Sequence, residues 1–577
     1  GLAMSSFPPI IQADRAYQIA CANFYARNFD AAGKMFRDIA ADPKSPWRTI
    51  GPYRVGRSLI RKATLGADQD KVDSTELAKA ENQLQNVLAD PKLASIHPAA
   101  HRLMGYVEFR LHPDQRLHEL AHVVAKGAQG ERFKQGLCDY TLLLDRYESK
   151  DLASLSPEAR KDDLTDWVFT FQAGGQAAFE HSLEKWKQSR SNAWLLAALA
   201  NSSQKEAKLA ELMTAARGIK EASPGYGMAL YHRARLMAGS GEQEAARHLL
   251  DGVFALGSPA LPRSTVNLLT AERMRLAANL DDFLAFALRK PAGNTLDEND
   301  MEIPTEDEGG SLPAKTGDTN TEVLGEDAAA MLNQVLPTDL LAEAASSKSL
   351  PPSIQKDVAL AAWVRAILLG DDKIGRQLAP RLQAQIPELK AALSDYIGAA
   401  TPEGRRFAAV MLMLRNPGCR PYLNGGLGRQ TPLAEIDDFR DNWWCAFLPG
   451  IDPGLPNYRK IEAAASEEKA TKPRRSAQVS PAFLTPAQRE VALMEWKRLS
   501  AMPAGPNYLP ASVVEYADKN PDDPRVPEAL ALAVKSTRFG CTDKQTVQLS
   551  KAAFDLLHKR YPSTTWAKQT KYWYGNN

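Results

Sequence analysis

The chain of 577 residues is longer than one hydrophobic core normally serves, which predicts about three to four domains or one elongated repeat array. Its 44% hydrophobic and 24% charged residues are typical of a folded chain rather than a disordered one. The 71 Lys and Arg against 69 Asp and Glu leave a net charge of +2, so no global basic field exists to hold nucleic acid or an anionic membrane. The longest apolar runs, 193–200 and 407–414, are far shorter than the roughly 20 residues of a membrane-spanning helix.

The N-terminus carries no recognisable targeting signal. Gly1–Met4 is typical of a cloning remnant, and the residues that follow have neither a charged n-region nor an apolar h-region. We therefore expect no signal peptide in this sequence. A native targeting segment removed before Gly1 stays open, and with it the compartment.

The first 43 residues have the pattern of a helix pair. Apolar residues recur at spacings of three and four between 19 and 39, and the pattern breaks at Arg27-Asn28. The string Phe24…Phe29…Phe36…Asp42-Pro43 resembles a tetratricopeptide (TPR) unit, in which small residues let paired helices pack closely and a proline closes the second helix. Two positions depart from that family: Arg27 replaces the turn glycine, and Pro43 comes one residue early.

An internal repeat supports this interpretation. Residues 39–44 (Ile-Ala-Ala-Asp-Pro-Lys) recur as 87–92 (Val-Leu-Ala-Asp-Pro-Lys), an offset of 48 positions. The same offset superposes 53–55 on 101–103, the start of the following helix. A unit of two or more helices stacked on its neighbours is the simplest account.

Further helix pairs are predicted along the chain. They lie at 231–250 with Gly241 at the turn, at 357–385 with a break at Gly370, and at 526–537 followed by 552–559. The string Tyr561–Ala567 resembles the signature of bacterial periplasmic TPR lipoproteins. That resemblance implies a periplasmic or secreted protein, with a cytoplasmic location left open.

Two segments interrupt the helical pattern. Residues 297–327 contain eleven acidic residues against one base, Lys315, with few large apolar residues, so we predict a mobile acidic loop. The Asp-x-Asx-x-Asx-Gly order of a calcium loop is missing there. Residues 453–482 are rich in Pro, Lys, Arg and Ser and predict a linker, with a basic docking patch as the alternative.

The sharpest motif is His118-Glu119-Leu120-Ala121-His122, which Pro113 is well placed to open as a helix. One helical turn separates the two histidines, so both imidazoles lie on one face and can share a zinc ion. Glu119 is then placed to activate a zinc-bound water. The motif resembles that of the zincin peptidases, which implies zinc-dependent peptide hydrolysis.

Several features weigh against a zincin. The next histidine, His181, is too distant, and the candidate third ligands Glu131 and Glu148 lack the motif that surrounds such a ligand. No strand is predicted before residue 113. An ordinary repeat helix also explains the segment, with His118 and His122 as a polar stripe and an apolar face made of Leu117, Leu120, Ala121 and Val124.

A second informative stretch runs from residue 416 to residue 444. Its glycines lack both a preceding strand and a following Lys-Ser/Thr, so no nucleotide site is predicted. It contains residue types frequent at binding hot spots, and these form our candidate partner-binding set: Arg420, Tyr422, Arg429, Arg440, Trp443 and Trp444. Alternatively, the two tryptophans pack the segment onto the helices. A carbohydrate or peptidoglycan binder would need them exposed in a groove.

Cysteine usage gives one candidate disulfide. Five cysteines are too few for a disulfide scaffold, and no CxxC pair is present to form a zinc ribbon. Cys419 and Cys445 lie 26 residues apart and could pair in an oxidising compartment, or both could be small buried side chains.

Together these patterns predict an all-α protein. We expect about twenty-five short helices stacked as TPR-like pairs in a right-handed superhelix, an α-solenoid interrupted by disordered loops. The predicted segments are helical repeats at 5–150 and 151–296, the acidic loop at 297–327, helical repeats with the Gly/Pro/Trp-rich stretch at 328–452, the linker at 453–482, and C-terminal helices at 483–577.

The resemblance to TPR proteins implies a function in partner binding. We therefore predict a non-enzymatic scaffold, without metal or cofactor and without a membrane span, that binds a protein or peptide and not nucleic acid, and that could belong to the bacterial cell envelope. The alternative is a zinc peptidase that uses His118, Glu119 and His122.

Overall fold

The computed structural model describes twelve ranges of the chain. They are 8–65, 72–127, 130–148, 157–257, 261–290, 292, 295–296, 302–303, 322–426, 443–444, 481–538 and 542–575. Arg429, Arg440, Cys445, most of the predicted acidic loop and nearly all of the predicted linker lie outside them. No helix within the described ranges is long and apolar enough to cross a membrane.

The chain forms two compact units, 1–215 and 216–577, with the boundary inside a helix. The α-helices that begin in the first unit are α1 Pro9–Tyr25, α2 Phe29–Ala41, α3 Gly51–Thr64, α4 Ser74–Ala89, α5 His97–Leu111, α6 Pro113–Ala125, α7 Glu131–Glu148, α8 Asp163–Ala173, α9 Gly175–Ser189, α10 Asn192–Asn201 and α11 Leu209–Arg217. A 3-10 helix, Pro91–Ile96, precedes α5.

The second unit is also helical. Its α-helices are α12 Tyr226–Gly239, α13 Gln243–Ala255, α14 Arg263–Arg275, α15 Leu280–Ala285, α16 Glu326–Gln334, α17 Thr338–Ala344, α18 Pro352–Leu369, α19 Asp372–Gln385, α20 Lys390–Gly398, α21 Pro402–Arg415, α22 Pro486–Ser500, α23 Gly505–Lys519, α24 Val526–Ser536, α25 Lys544–Arg560 and α26 Thr565–Gln569, and a 3-10 helix, Pro387–Leu389, precedes α20. The strands β1 Leu288–Arg289 and β4 Val323–Leu324 form one antiparallel pair, and β2 Thr295–Leu296 and β3 Glu302–Ile303 form another. The end of the predicted acidic loop, 297–327, forms regular secondary structure instead: Val323–Leu324 are β4, and α16 begins at Glu326. Leu324 is buried and packs with the core.

Helices pack on their neighbours in sequence order, which confirms the predicted all-α, solenoid-like fold. In the first unit consecutive helices contact each other from the α1–α2 pair to the α6–α7 pair, and α3 also contacts α5. The core of this unit is a succession of small clusters, one between α1 and α3, one between α3 and α5, and one between α6 and α8. Leu59 packs against the first two clusters, so neighbouring repeats share their apolar side chains.

The 48-residue repeat is visible as matching turns. α2 ends at Ala41 and α4 at Ala89, and each is followed by an Asp-Pro-Lys turn. The carboxylate of Asp42 accepts a hydrogen bond from the Lys44 backbone N–H at 2.8 Å, and that of Asp90 accepts one from the Lys92 N–H at 2.9 Å. The same local chemistry therefore ends both helices.

One turn lacks the glycine that its backbone favours. Gly241, at the turn between α12 and α13, has φ +88°, in the left-handed region that glycine enters without strain. Arg27, at the turn between α1 and α2, has φ +66° with an exposed side chain. An L-residue with a side chain is disfavoured there by roughly 1–2 kcal/mol.

We expect Arg27→Gly to raise the free energy of unfolding by about 1 kcal/mol, because glycine removes the steric conflict at positive φ. The matched control is Arg37→Gly, an exposed arginine inside α2, which should lower that free energy by about 1 kcal/mol. Urea denaturation measures both changes. Equal destabilisation by the two substitutions would contradict the strain at Arg27.

In the second unit two helices are buried on almost all sides. α18 and α21 bury most of their residues, and each contains a continuous apolar run, 358–364 in α18 and 407–414 in α21. Arg365 of α18 is 2% exposed; its Nε donates to the Pro421 carbonyl at 2.9 Å, and its guanidinium also donates to the Asn333 carbonyl. Burial lowers the pKa of Arg365 to about 10, and Glu495 opposes that shift. The buried Arg365 thus positions the segment that contains Tyr422.

Candidate functional sites

The HExxH segment forms α6, which begins at Pro113 as predicted. Leu117, Leu120 and Ala121 are each at most 1% exposed and pack in the core between α6 and α8. The predicted apolar face is therefore confirmed. The polar stripe beside it carries His118 and His122, whose ring centroids lie 4.7 Å apart.

Asp162, which immediately precedes α8, joins the two histidines. Its Oδ2 accepts a hydrogen bond from Nδ1 of His118, and its Oδ1 lies 3.3 Å from Nε2 of His122. One donor atom from each of the three residues lies within 4.8 Å of the others. Two imidazoles and one carboxylate are a set of three protein ligands that suits a zinc ion. The side chains are 27% exposed for His118, 57% for His122 and 12% for Asp162, so the group is open on the His122 side.

Asp162 could not be identified from sequence spacing. It lies 40 positions beyond His122, and the whole of α7 intervenes, so no local spacing links the two. The third ligands predicted as candidates, Glu131 and Glu148, are at the two ends of α7, and their side chains are outside the described part of the structure. Asp162 is identified only by the tertiary structure, in which α8 packs on α6 and brings its first residues close to the two histidines.

Glu119 is not positioned like the base of a zincin. Its Oε1 accepts a hydrogen bond from Nε2 of Gln115, and its Oε2 accepts one from Nη1 of Arg116, both at 3.1 Å. Arg116 also pairs with Glu108 at 3.2 Å. Both oxygens of Glu119 are thus already engaged by neighbouring side chains of α6.

The described part of the 416–444 stretch is largely buried, which corrects its assignment as a recognition surface. Trp443 and Trp444 are 1% and 0% exposed, and Tyr422 is 5% exposed. Nε1 of Trp443 donates to the Met413 carbonyl at 3.3 Å, and Gly505 donates its N–H to the Trp444 carbonyl at 2.8 Å. The indoles pack the segment onto α21 and α23, so an exposed aromatic groove for carbohydrate is also excluded at these residues.

The remaining members of that candidate set are only partly described. Arg420 is half-buried, whereas Arg429 and Arg440 lie outside the described residues. Cys419 is buried, and its predicted partner Cys445 is also outside them. The disulfide therefore stays a prediction.

A different surface of the first unit carries arginines and aromatic rings. We call it the Arg–aromatic face, and it consists of Arg54, Arg57 and Arg61 of α3, Arg102, Tyr106, Phe109 and Arg110 of α5, and Arg146 of α7. Some of these guanidinium groups lie over aromatic rings of another helix: arginines of α3 lie over rings of α1, and an arginine of α7 lies over a ring of α5. Arg54 and Arg57 lie 5.8 and 5.4 Å from the Tyr17 and Phe24 rings of α1, and Arg146 lies 5.3 Å from the ring of Phe109.

Like charges converge at the α5–α7 end of this face. Arg110 lies 3.6 Å from the ring of Tyr106 and 5.6 Å from that of Phe109, the ring that Arg146 also contacts. Burial lowers the pKa of Arg110, and Arg146 lowers it further, while Tyr106 raises it. Among the described residues no carboxylate pairs with either arginine. The internal repeat gave a partial signal, because Arg54 and Arg102 are equivalent at the 48-residue offset.

Comparison with family models and with curated proteins found no match for this chain.

Proposed function

We propose that this chain is a TPR-like, non-enzymatic scaffold that binds acidic polypeptide segments on the Arg–aromatic face. The observation that carries the proposal is the convergence of Arg110 and Arg146 on Phe109 without a described carboxylate partner. Two cations held together by the fold favour an anion between them. The guanidinium fork can bind a carboxylate through two hydrogen bonds.

The pairing of other cations in the first unit supports this choice. Lys62 pairs with Asp30 at 2.7 Å, Arg116 with Glu108 and Glu119, and Lys79 with Glu76 at 2.7 Å, so these cations are already neutralised. The six arginines of the Arg–aromatic face form no ion pair with a described residue. A ligand with several negative charges would supply ion-pair partners for these arginines.

The aromatic and apolar residues favour a polypeptide over a nucleic acid. Tyr106 is 37% exposed, and Leu142 of α7 is 54% exposed. Apolar contacts between cations suit a segment in which Asp or Glu alternates with large apolar side chains. A net charge of +2 gives no long-range field for a polyanion.

We expect the full chain to bind a fluorescein-labelled peptide of alternating Glu and Tyr, and to bind the matching Lys/Tyr peptide much more weakly. Fluorescence anisotropy measures both affinities. Arg110→Ala combined with Arg146→Ala should weaken Glu/Tyr binding by about 100-fold, since each charge-assisted contact contributes about a factor of ten. Added salt should weaken the binding further.

Two single variants test whether peptide binding depends on the Arg–aromatic face. Arg102→Ala removes an exposed arginine of the face without disturbing the core, and it should weaken binding by about tenfold. Arg37→Ala removes an exposed arginine of α2, outside the face, and should leave binding unchanged. Equal affinity for the two peptides, or tighter binding of a single-stranded oligonucleotide, would contradict the proposal.

The peptidase alternative has less support from the geometry. Glu119 is engaged by Gln115 and Arg116, and the described residues of the first unit contain no strand that could align a substrate. The histidines themselves are better explained as a binding site for a metal ion.

A further inference from the structure

We propose that His118, His122 and Asp162 bind one divalent transition-metal ion, preferably zinc, which links α6 to the start of α8. The site is independent of the peptide-binding face proposed above. Its ligands come from two helices that pack against each other in the core between α6 and α8. A metal ion there would join residues 44 positions apart in the sequence and, because the site exists only in the folded chain, would stabilise the fold.

The behaviour of Asp162 is the first argument for a ligand. It occupies the N-cap position of α8, yet its side chain caps no backbone N–H. The N-cap aspartates of four other helices do cap them: Asp73, Asp90, Asp371 and Asp543. A lost cap costs about 1 kcal/mol of stability. The carboxylate of Asp162 instead directs one oxygen to each histidine.

The distances are the second argument. A tetrahedral zinc ion with bonds of about 2.0–2.1 Å needs donor atoms about 3.3 Å apart. His122 Nε2 and Asp162 Oδ1 are 3.3 Å apart, and all three donors lie within 4.8 Å of one another. Among the described residues the two histidines pair with Asp162, and no Lys or Arg does.

The chemistry of the donors selects the class of metal. Two imidazoles and one carboxylate suit zinc and its neighbours copper and nickel, whereas magnesium and calcium prefer sites made of oxygen donors. Three protein ligands leave a fourth position, and the exposure of His122 leaves that position accessible to water. Because Glu119 is held by Arg116, we assign the site to metal binding without peptide hydrolysis.

Metal content and competition titration test this site on the full chain. After dialysis against ZnCl2 and removal of the excess, the wild-type protein should hold one more zinc per chain than the His122→Ala variant. A chromophoric chelator in competition gives the affinity. His122→Ala and Asp162→Asn should each weaken zinc binding by at least about 100-fold, as expected for the loss of a ligand.

Control variants separate this site from adventitious binding. His248→Ala removes an exposed histidine that pairs with Glu244 at 3.7 Å, and it should leave zinc affinity unchanged. Zinc should raise the melting temperature of the wild type and of His248→Ala, but not that of Asp162→Asn. Equal zinc content in the wild type and in His122→Ala would overturn the site. Neither readout uses the Glu/Tyr peptide, so failure here leaves the peptide-binding proposal untouched, and the reverse also holds.

Discussion

Replacing Trp443 with alanine is expected to lower the free energy of unfolding by about 3–5 kcal/mol, the usual cost of removing a large aromatic side chain from a packed core. Trp443 is 1% exposed, and its indole N–H donates to the Met413 carbonyl of α21. A Cβ built on Gly505 would lie 2.9 Å from the Trp443 Cβ, so the backbone of α23 packs directly on this residue. Little of the resulting cavity can collapse.

Trp566→Ala is the matched control for this substitution. Trp566 is 37% exposed on the short helix α26, and its removal should cost about 1 kcal/mol. Urea denaturation of the two variants, followed by circular dichroism, gives the comparison. If Trp443→Ala unfolds at the same urea concentration as Trp566→Ala, the indole does not pack the core and the recognition surface at 416–444 would have to be reconsidered.

The helices were predictable because their signals are local. Apolar spacing marks α2, Pro113 marks the start of α6, and the Asp-Pro-Lys turns end α2 and α4. Each signal depends on residues within one or two helical turns. Sequence alone is sufficient at that range.

The sites were harder to predict because their partners are distant in the chain. Asp162 reaches His118 across 44 positions, and Arg146 reaches Phe109 across 37. Trp443 is of a residue type common to cores and to binding surfaces, and its burial against α21 and α23 decides between them. Only tertiary packing carries that information.

Acid should destabilise the protein through one buried histidine, and His232→Leu should remove that effect. His232 of α12 is 6% exposed, and neither ring nitrogen has a hydrogen-bond partner among the described residues. Burial lowers the pKa of His232 to about 3, and the charge of Arg235 adds to the shift. At neutral pH leucine should raise the free energy of unfolding by about 1 kcal/mol, because it fills the site without unpaired polar atoms.

The direction of the pH effect follows from the two pKa values of this group. Above pH ~6.5 the imidazole is neutral in both the folded and the unfolded chain, so His232 adds no pH dependence. Below that value the unfolded chain binds a proton that the folded chain does not, because the folded pKa is about 3. The wild type should therefore lose about 1.4 kcal/mol of stability per pH unit through this residue, or about 3 kcal/mol between pH 6.5 and pH 4.5.

Urea denaturation of both proteins at about pH 7 and about pH 4.5 isolates the contribution of His232, because carboxylates that titrate in the same range are common to the two chains. The stability difference between His232→Leu and the wild type should grow by about 3 kcal/mol at the lower pH. His248→Leu, which removes an exposed histidine, should follow the wild type at both values. A constant difference between His232→Leu and the wild type would mean that the folded protein accepts the proton, and α12 would then have to open to water around this ring.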